Sequence, residues 1–529
     1  MIIQELRQKL NSVILVPLLL AAVAVAASAK DTSAAAKPNI VVVLADDLGY
    51  GDVHSFDPEH AKIATPCVDR LAKEGLSFTD AHDGASLCTP SRYALLTGRF
   101  SWRTALQNRV MDKYGSPLIA ADRLTLPKML QQAGYRTACF GKWHLGWDWA
   151  LRQPDGSIVR CPKGEFMRFR EGEPVFAEAI AQGPMTRGFD YFFGVDTPNL
   201  TPHTFIENDR MVVEPTKRDK WGVAAPGWRA DRMLPTIVEK TEAYIAECGR
   251  EKKPFFLYMA LTSPHTPIAP SEPFIGKSGI NPEADFIMET DAALGRVADA
   301  LEKAGLTNNT ILIFTSDNGH PGYVDLKPYQ QVGHRVNGLY KGYKNDLSEG
   351  GHRIPLVVRW PGVVKPGASS NQLVCLSDLM ATCAELFNLK LPDNAAEDSV
   401  SFLPLLRGKD VPTRQFLVNQ CYSTPPLAIR DGPWKLGLCP GYGPPLQNFS
   451  VEDAKTRGLQ PVQLHNLSDD PGETRNLAEQ HPEIVQRLRA QLEKYVADGR
   501  STPGAPQKND VEVKLDQARK PQSAEAAKD

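Results

Sequence analysis

Five places in the sequence gather side chains that could do chemistry, and four of them close an apolar run. Residues 39–45 (NIVVVLA) run into Asp46-Asp47, and 137–140 (TACF) into Gly141-Lys142-Trp143-His144. Residues 255–261 (FFLYMAL) run into Thr262-Ser263-Pro264-His265, and 311–315 (ILIFT) into Ser316-Asp317-Asn318-Gly319. Singly, each reads as an ordinary turn after a strand. Together they read as a site, because open α/β sheets bind ligands beyond the carboxyl ends of their strands. Three carboxylates (Asp46, Asp47, Asp317) and the Asn318 amide oxygen make a hard, oxygen-rich donor set. Such a set suits Ca²⁺ or Mg²⁺ rather than zinc. The fifth place is Cys88-Thr89-Pro90-Ser91-Arg92. A cysteine near a proline reads by itself as a small buried hydrophobe. Here Pro90 suits a helix's first turn and residues 91–96 continue it, so the helix N-terminus and Arg92 would face an anion.

The elements that must hold these groups follow from the pattern between residues 38 and 406. The continuous apolar run 39–45 predicts a strand buried on both faces. Thr65-Pro66 starts a helix that Gly75 stops, and a second helix over 127–134 feeds a strand over 136–140. Further strands are expected over 255–261 and 310–315, with a long amphipathic helix over 283–304 between them. Strand–helix alternation of this kind means an α/β fold, a doubly wound sheet with helices on both faces. The stretch 151–228, rich in Gly, Pro and aromatics, reads as loops over the active edge. Past Gly408 the texture changes. Short antiparallel strands over 415–420, 427–430 and 434–438, a turn at Asp431-Gly432-Pro433, and a helix over 482–498 describe a smaller C-terminal α+β domain. The expected boundaries are a catalytic domain over 38–406, the C-terminal subdomain over 407–500, and a polar, unstructured tail over 501–529.

The chain has 529 residues, too many for one ordinary core, and a net charge of −2 with 23% charged residues. No global field points to nucleic acid or an acidic membrane surface. Arg7 and Lys9 precede an apolar run over 13–26 that ends in Ala27-Ser28-Ala29. This reads as a secretory signal peptide over 1–29, followed by a linker over 30–37. The run is shorter than the roughly 20 apolar residues a membrane span needs. Export to the periplasm or beyond, with no stable membrane anchor, is the expectation. Nine cysteines, none with zinc-like spacing, permit disulfides there but indicate no pairing.

The run from Cys88 to Arg99, with Cys-x-Pro-Ser-Arg, a short spacer and Thr97-Gly98-Arg99, resembles at every fixed position the signature of the type I, formylglycine-dependent sulfatases. These have an alkaline-phosphatase-like fold. The resemblance implies that a formylglycine-generating or equivalent maturation enzyme oxidises Cys88 to formylglycine (3-oxoalanine). It also implies one Ca²⁺ per chain, held by Asp46, Asp47, Asp317, Asn318 and residue 88. Its catalytic positions fall on Cys88, Arg92, Lys142, His144, His265 and Lys344. Lys344 stands five residues before Glu349-Gly350-Gly351 as in the family, although Tyr343 and Asn345-Asp346 depart from the usual small residues. In the implied mechanism one hydroxyl of the aldehyde hydrate attacks sulfur, with Asp317 as base, while Arg92 and Lys142 hold the hydrate. His265 or Lys344 protonates the leaving alcohol. His144 then takes the proton of the second hydroxyl, and sulfate is expelled. Residues 428–435, 464–467, 470–473 and 476–477 are similar to the family's C-terminal domain and read as structural.

The implied reaction is sulfate ester hydrolysis on a sulfated carbohydrate, in the manner of N-acetylgalactosamine-6-sulfatases and polysaccharide sulfatases. Alternatives are an arylsulfatase, a phosphonate monoester hydrolase or phosphodiesterase of the same superfamily, and a non-catalytic binder of sulfated glycans. Plain phosphatases of that superfamily use Ser or Thr and two zinc ions, unlike this chain. Candidate substrate contacts are His203, Arg187, His334, Arg335, His352, Trp147, Trp149 and Trp221.

Overall fold

The computed structural model describes residues 37–162, 165–219, 222–422, 426–443 and 451–515. Strand β1 (Asn39–Asp46) is buried along its whole length, as an unbroken apolar run requires. The other sheet strands are β2 (Leu76–Phe78), β3 (Arg136–Lys142), β4 (Tyr191–Val195), β5 (Ile206–Glu207), β6 (Arg210–Met211), β7 (Phe255–Pro264), β8 (Thr310–Ser316), β9 (Leu356–Arg359) and β10 (Ala368–Ser370). They form one mixed ten-stranded sheet in the order β6-β5-β4-β3-β7-β1-β8-β9-β2-β10. Its centre is parallel: β1 pairs with β7 in the register Ile40↔Phe256 and with β8 in the register Ile40↔Ile311.

Alternation along β1 distributes the helices. Ile40, Val42 and Leu44 share one core with α2 (Cys88–Thr97), α3 (Leu126–Gln132) and α7 (Leu379–Leu386). Val41, Val43 and Ala45 share the other with α1 (Pro66–Glu74), α4 (Met233–Glu251) and α5 (Pro282–Lys303). Period-two side chains on a central strand thus put helices on both faces. Side-chain caps start two of them: Thr125 accepts from Lys128 N–H, and Asn281 from Ala284 N–H. Between β8 and β9 lie a short helix over Lys327–Gln331 and then a one-turn helix, α6 (Glu349–His352).

A second, antiparallel sheet of β11 (Phe416–Gln420), β12 (Leu427–Asp431), β13 (Trp434–Gly437) and β14 (Gln463–Asn466) follows in chain order. Helix α8 (Pro482–Ala497) covers it through Leu488 and Leu492, against Leu417, Ile429, Leu436 and Leu464. The described residues from Asn39 onward form one compact unit.

Two expectations need correction. The stretch 151–228 is not all loop: β4 adds to the sheet beside β3, and β5 and β6 extend its edge. The YFFGV run is too short and too evenly apolar to separate a strand from a loop by period. The tail also packs over 501–515. Asn509 Oδ1 accepts from Arg103 Nη1 at 3.0 Å, Asp510 pairs with Arg99 at 3.0 Å, and Val513 and Leu515 lie against the C-terminal core. Two buried arginines hold this polar segment in place, and composition alone does not reveal such anchors. The expected signal peptide over 1–29 and the linker residues 30–36 lie outside the described residues, as do 516–529. Among the described residues, no helix is long and apolar enough to cross a membrane.

Candidate active site

The carboxyl ends of β1, β3, β7 and β8 meet at one edge of the sheet, and the first turn of α2 points into the same place. The backbone departs abruptly from the strands there. Asp47 and His144 have φ of 74° and 53°, in the left-handed region, and Gly141 has 102°. Such conformations in non-glycine residues cluster where the surrounding structure imposes them for function. Gly141 meets its neighbour so closely that a Cβ would lie 1.9 Å from Ala260 O. The close approach it permits leaves Lys142 at the very end of the strand and His144 two residues beyond it, in the site.

Carboxylates and cations are matched in pairs. Lys142 Nζ donates to Asp46 at 2.9 and 2.8 Å, and Lys344 Nζ to Asp47 at 2.6 and 2.8 Å. Arg92 Nε and Nη2 donate to Asp317 Oδ2 at 3.1 and 2.7 Å, and Nη1 to Lys142 O at 3.0 Å. Asp317 Oδ1 accepts the Asp47 N–H at 3.1 Å, and Asn318 Nδ2 donates to Asp47 Oδ1 at 2.8 Å. All seven side chains are buried, so each ion needs its partner. Burial alone would raise the Asp46 pKa, but Lys142, His265 and Arg92 outweigh it and hold the group well below the carboxylate range. Burial, and then the Asp46 charge, push Asp317 well above that range.

Cys88 opens α2 and is buried. Burial would raise its thiol, but Lys142 and Lys344 outweigh it, bringing the pKa down to about 7. The position therefore favours a negative group. His144 Nε2 bonds Met111 O at 3.0 Å, while its Nδ1 is buried without a partner. Burial and Lys142 hold His144 well below the ordinary histidine value, so its ring is neutral. For His265, Asp46 outweighs burial and raises the pKa. Its Nδ1 lies 2.7 Å from Thr266 O, which fixes Nδ1 as a donor and leaves Nε2 facing Asp47 Oδ2 at 3.8 Å.

The site fits a hard divalent cation. Ligand atoms of Asp46, Asp47 and Cys88 lie within 4.8 Å of one another, and a ring nitrogen of His265 is equally close. Asn318 Oδ1 is a buried acceptor with no partner, which a cation would satisfy. Asp317 adjoins that group, its Oδ1 accepting the Asp47 N–H and its Oδ2 the Arg92 guanidinium. Arg92, Lys142, His265 and Lys344 all act on the Asp46 charge, and Asp46 in turn acts on Cys88 and His144, so the six share one buried cluster. Sequence reasoning missed Tyr323, whose hydroxyl donates to Asp47 Oδ2 at 2.9 Å. It sits in a Gly-Pro-rich loop without any period that could have marked it.

The substrate contacts divide differently. His203 lines a 720 Å³ cleft with Asn199, Lys217, Trp228, Thr266 and Pro267, beginning one residue past His265. Trp147 and Trp149 are instead core residues, and Trp147 Nε1 donates to Asp196. Arg187 is buried on Ile119 O and Gln182, and His334 on Asp52. His352 is buried against His82. Each satisfies a buried polar group rather than facing a ligand. Arg335 is exposed, and Trp221 lies outside the described residues.

The chain is similar to known proteins over most of its length. The sulfatase family model matches residues 38–389. An N-acetylgalactosamine-6-O-sulfatase of Bacteroides thetaiotaomicron is 34% identical over 86% of this chain and 93% of its own length. Human arylsulfatase A is 33% identical over 90% of this chain and 92% of its own. A sulfatase structure from work on glycosaminoglycan metabolism by B. thetaiotaomicron superposes with a TM-score of 0.74 at 32% identity, covering 87% of this chain and 99% of that one. A phosphonate monoester hydrolase of Agrobacterium radiobacter, at 20% identity and a TM-score of 0.55, shares the fold. The chain belongs to the sulfatase family and is a sulfuric ester hydrolase.

Proposed function

We propose that this enzyme releases sulfate from a sulfated carbohydrate, with Cys88 matured to formylglycine and Ca²⁺ held by Asp46, Asp47, Asn318 and residue 88, Asp317 closing the set. The observation that carries the reading is the convergence of Cys88, at the head of α2, with two buried lysine–carboxylate pairs. When present, the aldehyde hydrate supplies the nucleophilic hydroxyl and the cation polarises the ester's S–O bonds.

The chain's own side chains do the rest. Lys142 and Lys344 set fixed positive charge beside the sulfate, where charge develops as the bond to the alcohol breaks. His265, anchored through Nδ1, holds a proton on Nε2 for the leaving oxygen. Neutral His144, with its unpartnered Nδ1, takes the proton whose removal lets sulfate depart. Arg92 keeps Asp317 in place from the floor of the pocket.

The carbohydrate assignment rests on the cleft past His265. Trp228 stacks against His203 with ring centroids 6.4 Å apart, beside Asn199 and Lys217. An aromatic wall edged by amide and ammonium groups suits a pyranose bearing anionic substituents. The relatives named for N-acetylgalactosamine 6-sulfate and for glycosaminoglycan metabolism support the same class. Arg7, Lys9, the apolar run to residue 26 and Ala27-Ser28-Ala29 support export after cleavage.

A panel of defined sulfated mono- and oligosaccharides, aryl sulfates and phosphonate esters tests the assignment through sulfate or phosphonate release. Fastest turnover on a sulfated sugar is expected. Turnover of aryl sulfates alone would overturn the substrate class, and preference for phosphonates would overturn the sulfate reading. Mass spectrometry of the active enzyme's residue-88 peptide is expected to find an aldehyde; a thiol alone would contradict it.

A further inference from the structure

The C-terminal motifs read from sequence as purely structural reach under the active site. Lys435 on β13 and Glu473 are buried. Lys435 Nζ lies 3.1 Å from Glu349 Oε1, 2.9 Å from Glu473 Oε1 and 3.1 Å from His352 Nε2. Glu473 Oε2 accepts the Glu349 N–H at 2.7 Å. Burial and Lys435 hold His352 well below the ordinary histidine value, so its ring stays neutral beside the lysine, with Nε2 also 3.2 Å from Leu347 O. Two residues of the antiparallel-sheet region thus hold both ends of α6.

The turn α6 is in backbone contact with two active-site loops. Gly351 O accepts the Gly319 N–H at 2.9 Å, next to Asn318, and Gly350 N–H donates to Lys341 O at 2.8 Å, three residues before Lys344. Lys344 N–H closes the ring on His320 O at 2.9 Å. There is no slack between these backbones. A Cβ on Gly319 would lie 1.8 Å from Gly350 O, and one on Gly350 would lie 2.5 Å from Gly342 O. A shift of α6 therefore has to move the loops that carry Asn318 and Lys344.

We infer that Lys435 and Glu473 are positioning residues for sulfate ester hydrolysis: acting through Glu349-Gly350-Gly351, they set Asn318 and Lys344 against the reacting ester. The inference rests on the proposed reading of Lys344 and Asn318 as active-site groups. Neither Lys435 nor Glu473 touches substrate.

The test compares Lys435→Met with Leu488→Ala, which loosens the same C-terminal core without touching α6. Both are assayed, well below their melting temperatures, on the panel substrate that the parent turns over fastest. Lys435→Met is expected to lower kcat about 10- to 100-fold, as misplacement of catalytic groups does, with KM within about twofold. Leu488→Ala is expected to keep kcat within about twofold of the parent. A kcat in Lys435→Met no lower than in Leu488→Ala overturns the inference. If Lys435→Met is not recovered folded, Glu473→Ala, which removes the acceptor of the Glu349 N–H, is judged by the same criterion. Lys344→Ala separates the two readings. Unchanged turnover there removes the site assignment, whereas its loss together with an unaffected Lys435→Met removes only the positioning role.

Discussion

Cys88 is small and enclosed, and its environment is built for negative charge rather than for packing. Cys88→Ala is therefore expected to abolish sulfate release while the unfolding temperature stays near that of the parent; retained turnover would contradict the mechanism. The lysines beside it make a second prediction. In the structure Lys142 and Lys344 each neutralise one of the carboxylates proposed to hold the cation, Asp46 and Asp47. Chelation should lower the melting temperature, and Ca²⁺ at about 100 times its dissociation constant should restore about 3 kcal/mol. Calorimetry with and without chelator reads this directly, and identical curves would speak against a bound ion. Most of these residues were legible because each closes an apolar strand or sits in the twelve-residue run from Cys88. Tyr323 was not, since a lone tyrosine in a loop carries no period. Lys435 was not, because a lysine in a short strand reads as solvated until the facing carboxylates are seen.

At the level of elements, the site depends on how strands end. Gly141 combines a φ of 102° with contact on Ala260 O, so Gly141→Ala meets both strain and overlap. It should cost about 3 kcal/mol or more and, by shifting Lys142 and His144, lower activity beyond what the loss of folded protein explains. Comparing specific activity per folded molecule with the melting temperature checks this. The buried parallel strands and long helices were legible from continuous apolar runs and from proline and glycine at helix ends. Strand β4 was not, because its evidence is the Gly194–Gly141 contact with β3, a long-range fact. The cleft was not legible either: tryptophan and histidine in an irregular stretch name no partner. Trp228→Ala should raise KM for a sulfated oligosaccharide several-fold and leave KM for a small aryl sulfate nearly unchanged. Equal effects on both would place Trp228 outside the carbohydrate contact.

For the whole molecule, acid should be the weak side. His465 on β14 is buried, and its Nδ1 lies 2.8 Å from Arg475 O. Burial, and then Lys435, lower its pKa to about 4. The unfolded chain takes up this proton near pH 6.5 and the folded chain only near pH 4. The neutral ring's contribution is therefore complete above about pH 6.5 and is lost as pH falls toward 4. The loss is at most about 3 kcal/mol. His465→Gln should flatten this part of the stability–pH curve in denaturant titrations, and an unchanged slope would show that other groups set it.

The pair between Arg99 and Asp510 spans 411 positions of sequence, and Arg99 is the last residue of the run that Cys88 begins. During synthesis the chain emerges from its N-terminus, so that arginine waits for its acidic partner until residue 510 has been made. For almost the whole of that interval the segment around residue 88 lacks its final clasp, and an enzyme that needs an extended stretch of polypeptide would find its target still within reach.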